Sequence, residues 1–354
     1  MQKNDKLACG TMGEGNGGKP PRRALLGWCR AAKFALACLA VIVAGTAPAC
    51  AADALRIGFQ KTGTFAWLLD VVRRHDLARE AGLELQTTEF ASTEAAKLAL
   101  NGGTVDIAVS DWLWVARERA LGQRLKFYPY SSAVGAIMVK NDSPLKNLAD
   151  LKGRVLGVAG GPLDKSWLIV RAAALRHGID LKRDATLQYG APPLVFQKLQ
   201  QGESDANLNF WNFCARLEAR GYRRLYDVRE AETELGLTQP VAAIGYVFSE
   251  SFAASHREAI DRFIGMAQRA SDLMRRSDAE WEALRPLVGA EDEATFAAMR
   301  AAARDGIPHR PLREEEADAA RLFKTLAEIG GPELVGPASE LDLGLYYHPT
   351  ASGE

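Results

Sequence analysis

The sequence predicts an α/β protein of two lobes, with two segments crossing between them and a helical C-terminal part. Three observations carry this. Strands and helices alternate from residue 55, which implies largely parallel sheets with helices on their faces. The alternation runs twice on one plan: strand, loop, helix, strand, helix, glycine, Asp-containing strand. Two apolar, small-residue stretches, Ala133–Val139 and Val241–Val247, read as strands that pass between the copies. On that reading residues 52–136 and 246–354 form lobe 1, and 137–245 form an inserted lobe 2. The alternative makes both stretches core strands of one larger sheet.

In the first copy, Leu55–Phe59 is a strand. Phe65–His75 is a helix, with Phe65, Leu68, Leu69 and Val72 on one face. Leu83–Phe90 is a strand. Ser92 or Thr93 caps a helix over Glu94–Leu100, which Asn101-Gly102-Gly103 ends. Val105–Val109 is a strand and Trp112–Leu121 a helix. In the second copy, Pro144–Leu151 is a short helix and Arg154–Ala159 a strand. Lys165–His177 is a helix, Thr186–Tyr189 a strand, Leu194–Gln200 a helix, Asp205–Asn209 a strand and Phe213–Ala219 a helix. Beyond residue 250 the pattern is helical. Ala259, Ile260, Phe263, Ile264 and Ala267 make one apolar stripe, and helices follow over 278–287, 292–303 and 314–329.

A secretory leader precedes this. Phe34–Gly45 is apolar but short for a bilayer span, Arg22, Arg23, Arg30 and Lys33 stand before it, and Ala49-Cys50-Ala51 offers a small-x-small cleavage site. The signal peptide is read as 1–51 and the mature chain as periplasmic. A retained anchor fits worse, because Pro48 breaks the segment and no stop-transfer charges follow. Lipid attachment at Cys50 is a second option, although Ala47-Pro48-Ala49 lacks the usual leucine. Arg22-Arg23 is a poor match to a twin-arginine signal.

The leader holds seven of the 44 basic and two of the 44 acidic residues, so residues 52–354 carry 37 basic and 42 acidic side chains, a net charge of −5. Such a chain has no electrostatic footprint for nucleic acid or anionic membrane. Four of the five cysteines, at 9, 29, 38 and 50, lie in the leader. Cys214 alone remains, which leaves no disulfide and a poor start for a zinc site. Its setting among Phe213, Ala215 and Leu217 reads as a buried structural thiol rather than a nucleophile.

Open parallel sheets bind ligands outside the carboxyl ends of their strands. Those places hold Gln60, Lys61, Thr62, Gly63 and Thr64; Ser92 and Thr93; Ser110, Asp111 and Trp112; Gly161, Pro162 and Leu163; and Asn209, Phe210 and Trp211. Thr, Ser and Gly at helix starts suit an oxyanion, although plain capping explains each one singly. Trp112, Trp114, Trp167 and Trp211 recur at the same rim, which favours an aromatic-lined cleft over four separate core residues. Lys61 is the cation of the first rim loop and Lys165 its counterpart in the second lobe. No Gly-x-Ser-x-Gly, Walker or His-Glu-x-x-His motif occurs, and the five histidines are scattered. Glu230, Glu232 and Glu234 look like solvated charge in a polar loop.

Four blocks in order resemble one family. They are Leu55-Arg-Ile-Gly-Phe-Gln-Lys; Glu89-Phe-Ala-Ser with Ala99-Leu-Asn-Gly-Gly-Thr-Val-Asp-Ile; Leu148-Ala-Asp-Leu-Lys-Gly-Arg-Val-Leu-Gly-Val; and Gln201-Gly-Glu-Ser-Asp-Ala. The chain resembles the periplasmic substrate-binding proteins of nitrate/sulfonate/taurine-type ABC importers over most of 55–275. The resemblance implies a type II periplasmic-binding-protein fold that closes on its ligand like a hinge, with ligand loops at 60–64, 92–93, 110–112, 160–164 and 209–212. Two departures stand out. Phe210-Trp211-Asn212 replaces the acidic or Pro-bearing sequence common in sulfonate binders, and Asp111 stands beside Trp112 and Trp114 in place of small residues and Pro. Both point to a ligand larger or flatter than a short sulfonate. Asp111 could pair with an amine or simply cap its helix.

The reading is therefore a monomeric solute-binding component of an ABC importer, without cofactor or metal, that captures a small organic anion and serves an inner-membrane permease. Trp112 and Trp211 are its expected stacking residues and Lys61 its expected cation. The rival is an enzyme on the same scaffold, as pyrimidine-synthesis relatives are; it requires a reactive Lys or His, and the rim loops contain no His. A third reading is a binding protein that serves a sensor or a periplasmic enzyme.

Overall fold

A computed structural model describes residues 52–60 and 63–350. The leader, Cys50, Lys61 and Thr62 lie outside the described residues. The elements are β1 (Asp53–Gln60), α1 (Phe65–Arg74), α2 (Leu77–Glu80), β2 (Leu83–Phe90), α3 (Thr93–Asn101), β3 (Ile107–Ser110), α4 (Trp112–Ala120), β4 (Leu125–Ser131), β5 (Ala136–Lys140) and a 3-10 turn, Leu148–Leu151. Then come β6 (Val155–Ala159), α5 (Lys165–Arg176), α6 (Leu181–Asp184), β7 (Thr186–Gly190), α7 (Pro192–Gln201), β8 (Ala206–Asn209), α8 (Trp211–Ala219), β9 (Tyr222–Asp227), α9 (Val228–Glu234) and β10 (Ile244–Ser249). Five helices finish the chain: α10 (Glu250–Ser255), α11 (Arg257–Arg276), α12 (Asp278–Val288), α13 (Glu293–Asp305) and α14 (Leu312–Val335).

Two five-stranded sheets form, in the orders β2-β1-β3-β10-β4 and β7-β6-β8-β5-β9. In each, a first strand lies parallel between two others, and the strand arriving from the far side runs antiparallel: β10 in the first, β5 in the second. Both sheets repeat one fastening. The Asp106 carboxylate accepts from the backbone N–H of Arg56 at 2.9 Å, and Asp205 accepts from that of Val155 at 2.8 Å. The recurring Asp of the sequence thus pins the start of the third strand of each copy to the first strand. It is a structural group.

The small residues of the crossing stretches have a steric cause. A Cβ on Gly135 would lie 1.6 Å from the carbonyl oxygen of Asn209, and one on Gly245 would lie 2.3 Å from the Phe127 ring and the Tyr128 carbonyl. Backbones approach too closely there for any side chain. The apolar faces follow the periodicity, with Trp67 and Val71 buried on α1 and the expected Leu69 only partly buried. Phe65, Trp67, Leu68, Val71 and Val72 bury one face of α1, and the stripe from Ala259 to Ala267 buries one face of α11. Among the described residues, no helix is long and apolar enough to cross a membrane.

Several local expectations need correction. The β4 and β9 strands were not foreseen; both are edge strands, β4 carries Pro129, and neither shows a clean buried alternation. The helix expected over 144–151 shrinks to the 3-10 turn, which Asp150 closes by accepting from the N–H of Asn147 at 3.1 Å. The acidic stretch 230–234 is helix α9 and no solvated loop: Asp227 caps it, Val228 and Ala231 are buried, and Glu232 is buried with them against α5. A short apolar side, repeating at three residues, outweighs the charged composition.

Candidate ligand-binding cleft

A cleft of about 1250 Å³ opens between the sheets. Strand-end residues of both sheets line it, among them Gln60, Asp111, Leu163 and Phe210, and its floor includes Ala133–Gly135 and Ala243–Ile244 from the two connecting segments. Of the residues expected from sequence, Gln60, Gly63, Thr64, Asp111, Leu163, Phe210 and Trp211 line it.

The others do different work. Ser92 caps α3, its hydroxyl accepting from the N–H of Ala95 at 3.2 Å, and Thr93 donates to the Gln60 amide oxygen at 3.4 Å. Asn209 donates to the Pro192 carbonyl at 3.0 Å and accepts from the N–H of Phe210, which fastens the starts of α7 and α8. Gly161 and Pro162 form the turn before α5, and Ser110 is buried; none of the three lines the cleft. Trp112 is corrected outright. It is fully buried, with its ring 6.4 Å from that of Phe323 on α14. Trp114 lines the cleft instead. Two residues along a helix turn the side chain by about 200°, so one of the pair had to face inward.

Sequence reasoning missed or undervalued Trp67, Lys97, Arg117, Phe196 and Arg216, all cleft-lining. Pro286–Gly289 at the end of α12 and Glu333–Leu334 also line it. The last two sit beyond a kink in α14 where Gly331 takes φ 64° ahead of Pro332.

Four of the charged groups at the cleft, Lys97, Asp111, Arg216 and Asp164, are already engaged. Lys97 stands 3.6 Å from Asp111 and lies over the Trp114 ring at 5.0 Å. Arg216 pairs with Glu291 at 2.5 Å and donates to the Gly289 carbonyl at 3.0 Å. Lys165 donates to the Ala243 carbonyl at 2.8 Å, and burial pulls its ammonium below the ordinary lysine value. Asp164 caps α5, its carboxylate accepting from the N–H of Trp167 at 3.1 Å. Burial pushes that carboxyl up to about 6, against the opposing pull of the N–H bond and of Lys165. Asp111 caps α4 in the same way, accepting from the N–H of Trp114 at 2.8 Å. Two helix starts facing the cleft are therefore already occupied by carboxylates, whereas α1 and α8 begin with no side-chain cap. Among the described residues, no group of three His, Cys, Asp or Glu could hold a metal ion.

The NMT1/THI5-like family model matches residues 76–280. The chain belongs to the NMT1/THI5-like family. A putative aliphatic sulfonates-binding protein of Escherichia coli (strain K12) is 29% identical over 205 residues, 55% of this chain and 61% of that protein, so the match spans under two thirds of that relative's length. The periplasmic aliphatic sulphonate binding protein SsuA from Escherichia coli superposes with a TM-score of 0.68 at 22% identity, over 85% of this chain and 94% of that one. The alkanesulfonate-binding protein SsuA from Xanthomonas axonopodis pv. citri, bound to MOPS, gives 0.62 at 20% identity, over 83% and 98%. This member of the NMT1/THI5-like family has the two-lobed periplasmic-binding fold that the four sequence blocks implied.

Proposed function

We propose that the chain is the periplasmic solute-binding component of an ABC importer, exported by a leader cleaved near Ala51. It captures a small organic anion between lobe 1 (52–136 and 246–354) and lobe 2 (137–245) and presents the closed form to a permease. One observation carries the reading: a single cleft is walled by the strand ends of both sheets and floored by both connecting segments. A rotation about those two segments changes the cleft's width without breaking either sheet. Binding supplies the free energy that favours the closed form, and no bond is made or broken. The names of the relatives support an organic sulfonate, and the aromatic lining from Trp67, Trp114, Phe210 and Trp211 supports an apolar or aromatic body. Lys61 and Thr62 remain part of the proposed site by position.

Thermal unfolding against sulfonates (MOPS included), nitrate, carboxylates, amino acids and pyrimidines tests this. A ligand at about 100 times its Kd adds roughly 2.7 kcal/mol, enough to raise the Tm by a few degrees. A rise confined to organic anions supports the reading. No rise with any class overturns it and turns attention to catalysis.

A further inference from the structure

Lys165 occupies an unfavourable place for a cation. It is the first residue of α5, where the free N–H groups of the helix already carry partial positive charge. Its side chain is part-buried at the cleft wall, and among the described residues its one hydrogen bond goes to the Ala243 carbonyl of the second connecting segment. An ammonium has three N–H donors, so two are left over. No described carboxylate forms an ion pair with it. The acids that act on it from longer range are Asp111, Asp164, Glu232 and Glu315. Three of them are engaged. Asp111 holds the Trp114 N–H and faces Lys97, Asp164 holds the Trp167 N–H, and Glu315 holds the Ala242 N–H and Arg310, each at 2.7 Å. The fourth, Glu232, has a carboxyl that burial pushes up to about 8, which leaves it mostly neutral at pH 7. A part-buried charge that has a carbonyl but no ion-pair partner is under-satisfied, and such breaches of the packing rules concentrate at functional sites.

We propose that Lys165 sets the charge of the ligand: an anionic head group docks on its two free N–H donors beside Ala243, and the apolar body lies along the Trp211 and Trp67 wall. This deepens the capture reading and rests on it. The recognised chemistry is a singly charged oxyanion, sulfonate or carboxylate, on an apolar or aromatic body.

The test is calorimetric titration with 1-hexanesulfonate and benzenesulfonate, each against its neutral sulfonamide, on the wild type and Lys165→Met. The wild type is expected to prefer the sulfonates by about 30-fold or more, and the variant to lose that preference. The ligand-free variant should melt close to the wild type, because no ion pair is lost with the lysine. Should Lys165→Met not fold, Lys165→Gln removes the charge and keeps a donor for Ala243. A preference that survives in the variant overturns the inference and leaves capture standing, as does a wild type that binds sulfonate and sulfonamide equally. A lowered Tm with equal weakening of both compounds assigns Lys165 a structural role and also overturns it. No binding of any of the four by the wild type overturns both proposals.

Discussion

Trp67 and Trp211 meet edge to face, with ring centres 6.2 Å apart and planes at 87°. Trp67 comes from α1 beside the first sheet, and Trp211 opens α8 beside the second. The Trp67 ring is fixed from behind: its indole N–H donates to the Leu287 carbonyl at 3.2 Å, and Trp281 packs on it at 5.8 Å. A rigid indole from one sheet thus abuts a half-exposed indole from the other at the cleft.

Trp211→Ala should weaken ligand binding about tenfold or more at nearly unchanged Tm, because it removes cleft wall and little core. Trp112→Ala should do the reverse. Its fully buried ring leaves a cavity that costs about 3–5 kcal/mol, while a protein that still folds binds almost normally. Calorimetry and chemical denaturation of the two variants separate the roles; full affinity in Trp211→Ala would remove Trp211 from the proposed site.

Glu232 makes stability depend on pH. Burial pushes its folded carboxyl from 4.5 up to about 8, against the pull of Lys165, Arg229 and Arg310. A raised folded value means that the folded state holds the proton more tightly. The contribution is complete below about 4.5 and is lost as pH rises through about 8. Urea midpoints should therefore fall across this window in the wild type and fall less in Glu232→Gln, which mimics the protonated form. Identical pH profiles for the two would show that Glu232 does not carry the effect.

Arg310 binds two buried carboxylates at once, Glu315 at 2.7 Å and Asp318 at 2.7 Å. Glu315 accepts from the N–H of Ala242 and Asp318 from the hydroxyl of Thr238, so the network ties the segment entering β10 to α14. Arg310→Met leaves Glu315 without its cation and Asp318 with Arg321 alone, and should cost about 3–5 kcal/mol in denaturation. Replacing Arg310, Glu315 and Asp318 together by apolar residues should recover part of that loss; no recovery would mean that the charges themselves are needed.

Cys214 is fully buried, with its thiol 3.3 Å from the Asn209 carbonyl, and burial pushes it up to about 12. A thiol this protonated and enclosed reacts slowly. Labelling with a maleimide should require unfolding, and prompt labelling of the native protein with loss of binding would assign Cys214 a functional role.

The sequence by itself determined the alternation of elements, the repeated plan with its two fastening aspartates, and the apolar faces of α1 and α11. These are consequences of period and turn chemistry. It also supplied Asp111 as a cap, because capping is local. Tertiary structure decided the rest. Whether Trp112 or Trp114 faces the cleft depends on where α14 packs, and Phe323 of that helix covers the former. Pro286–Gly289 and Glu333–Leu334 reach the cleft from helices more than seventy residues beyond the last rim loop, so no local pattern marks them. The unpaired state of Lys165 was hidden for the same reason. A sequence shows that a lysine opens a helix, but only packing shows which carboxylates are already engaged and which charge is left without a partner.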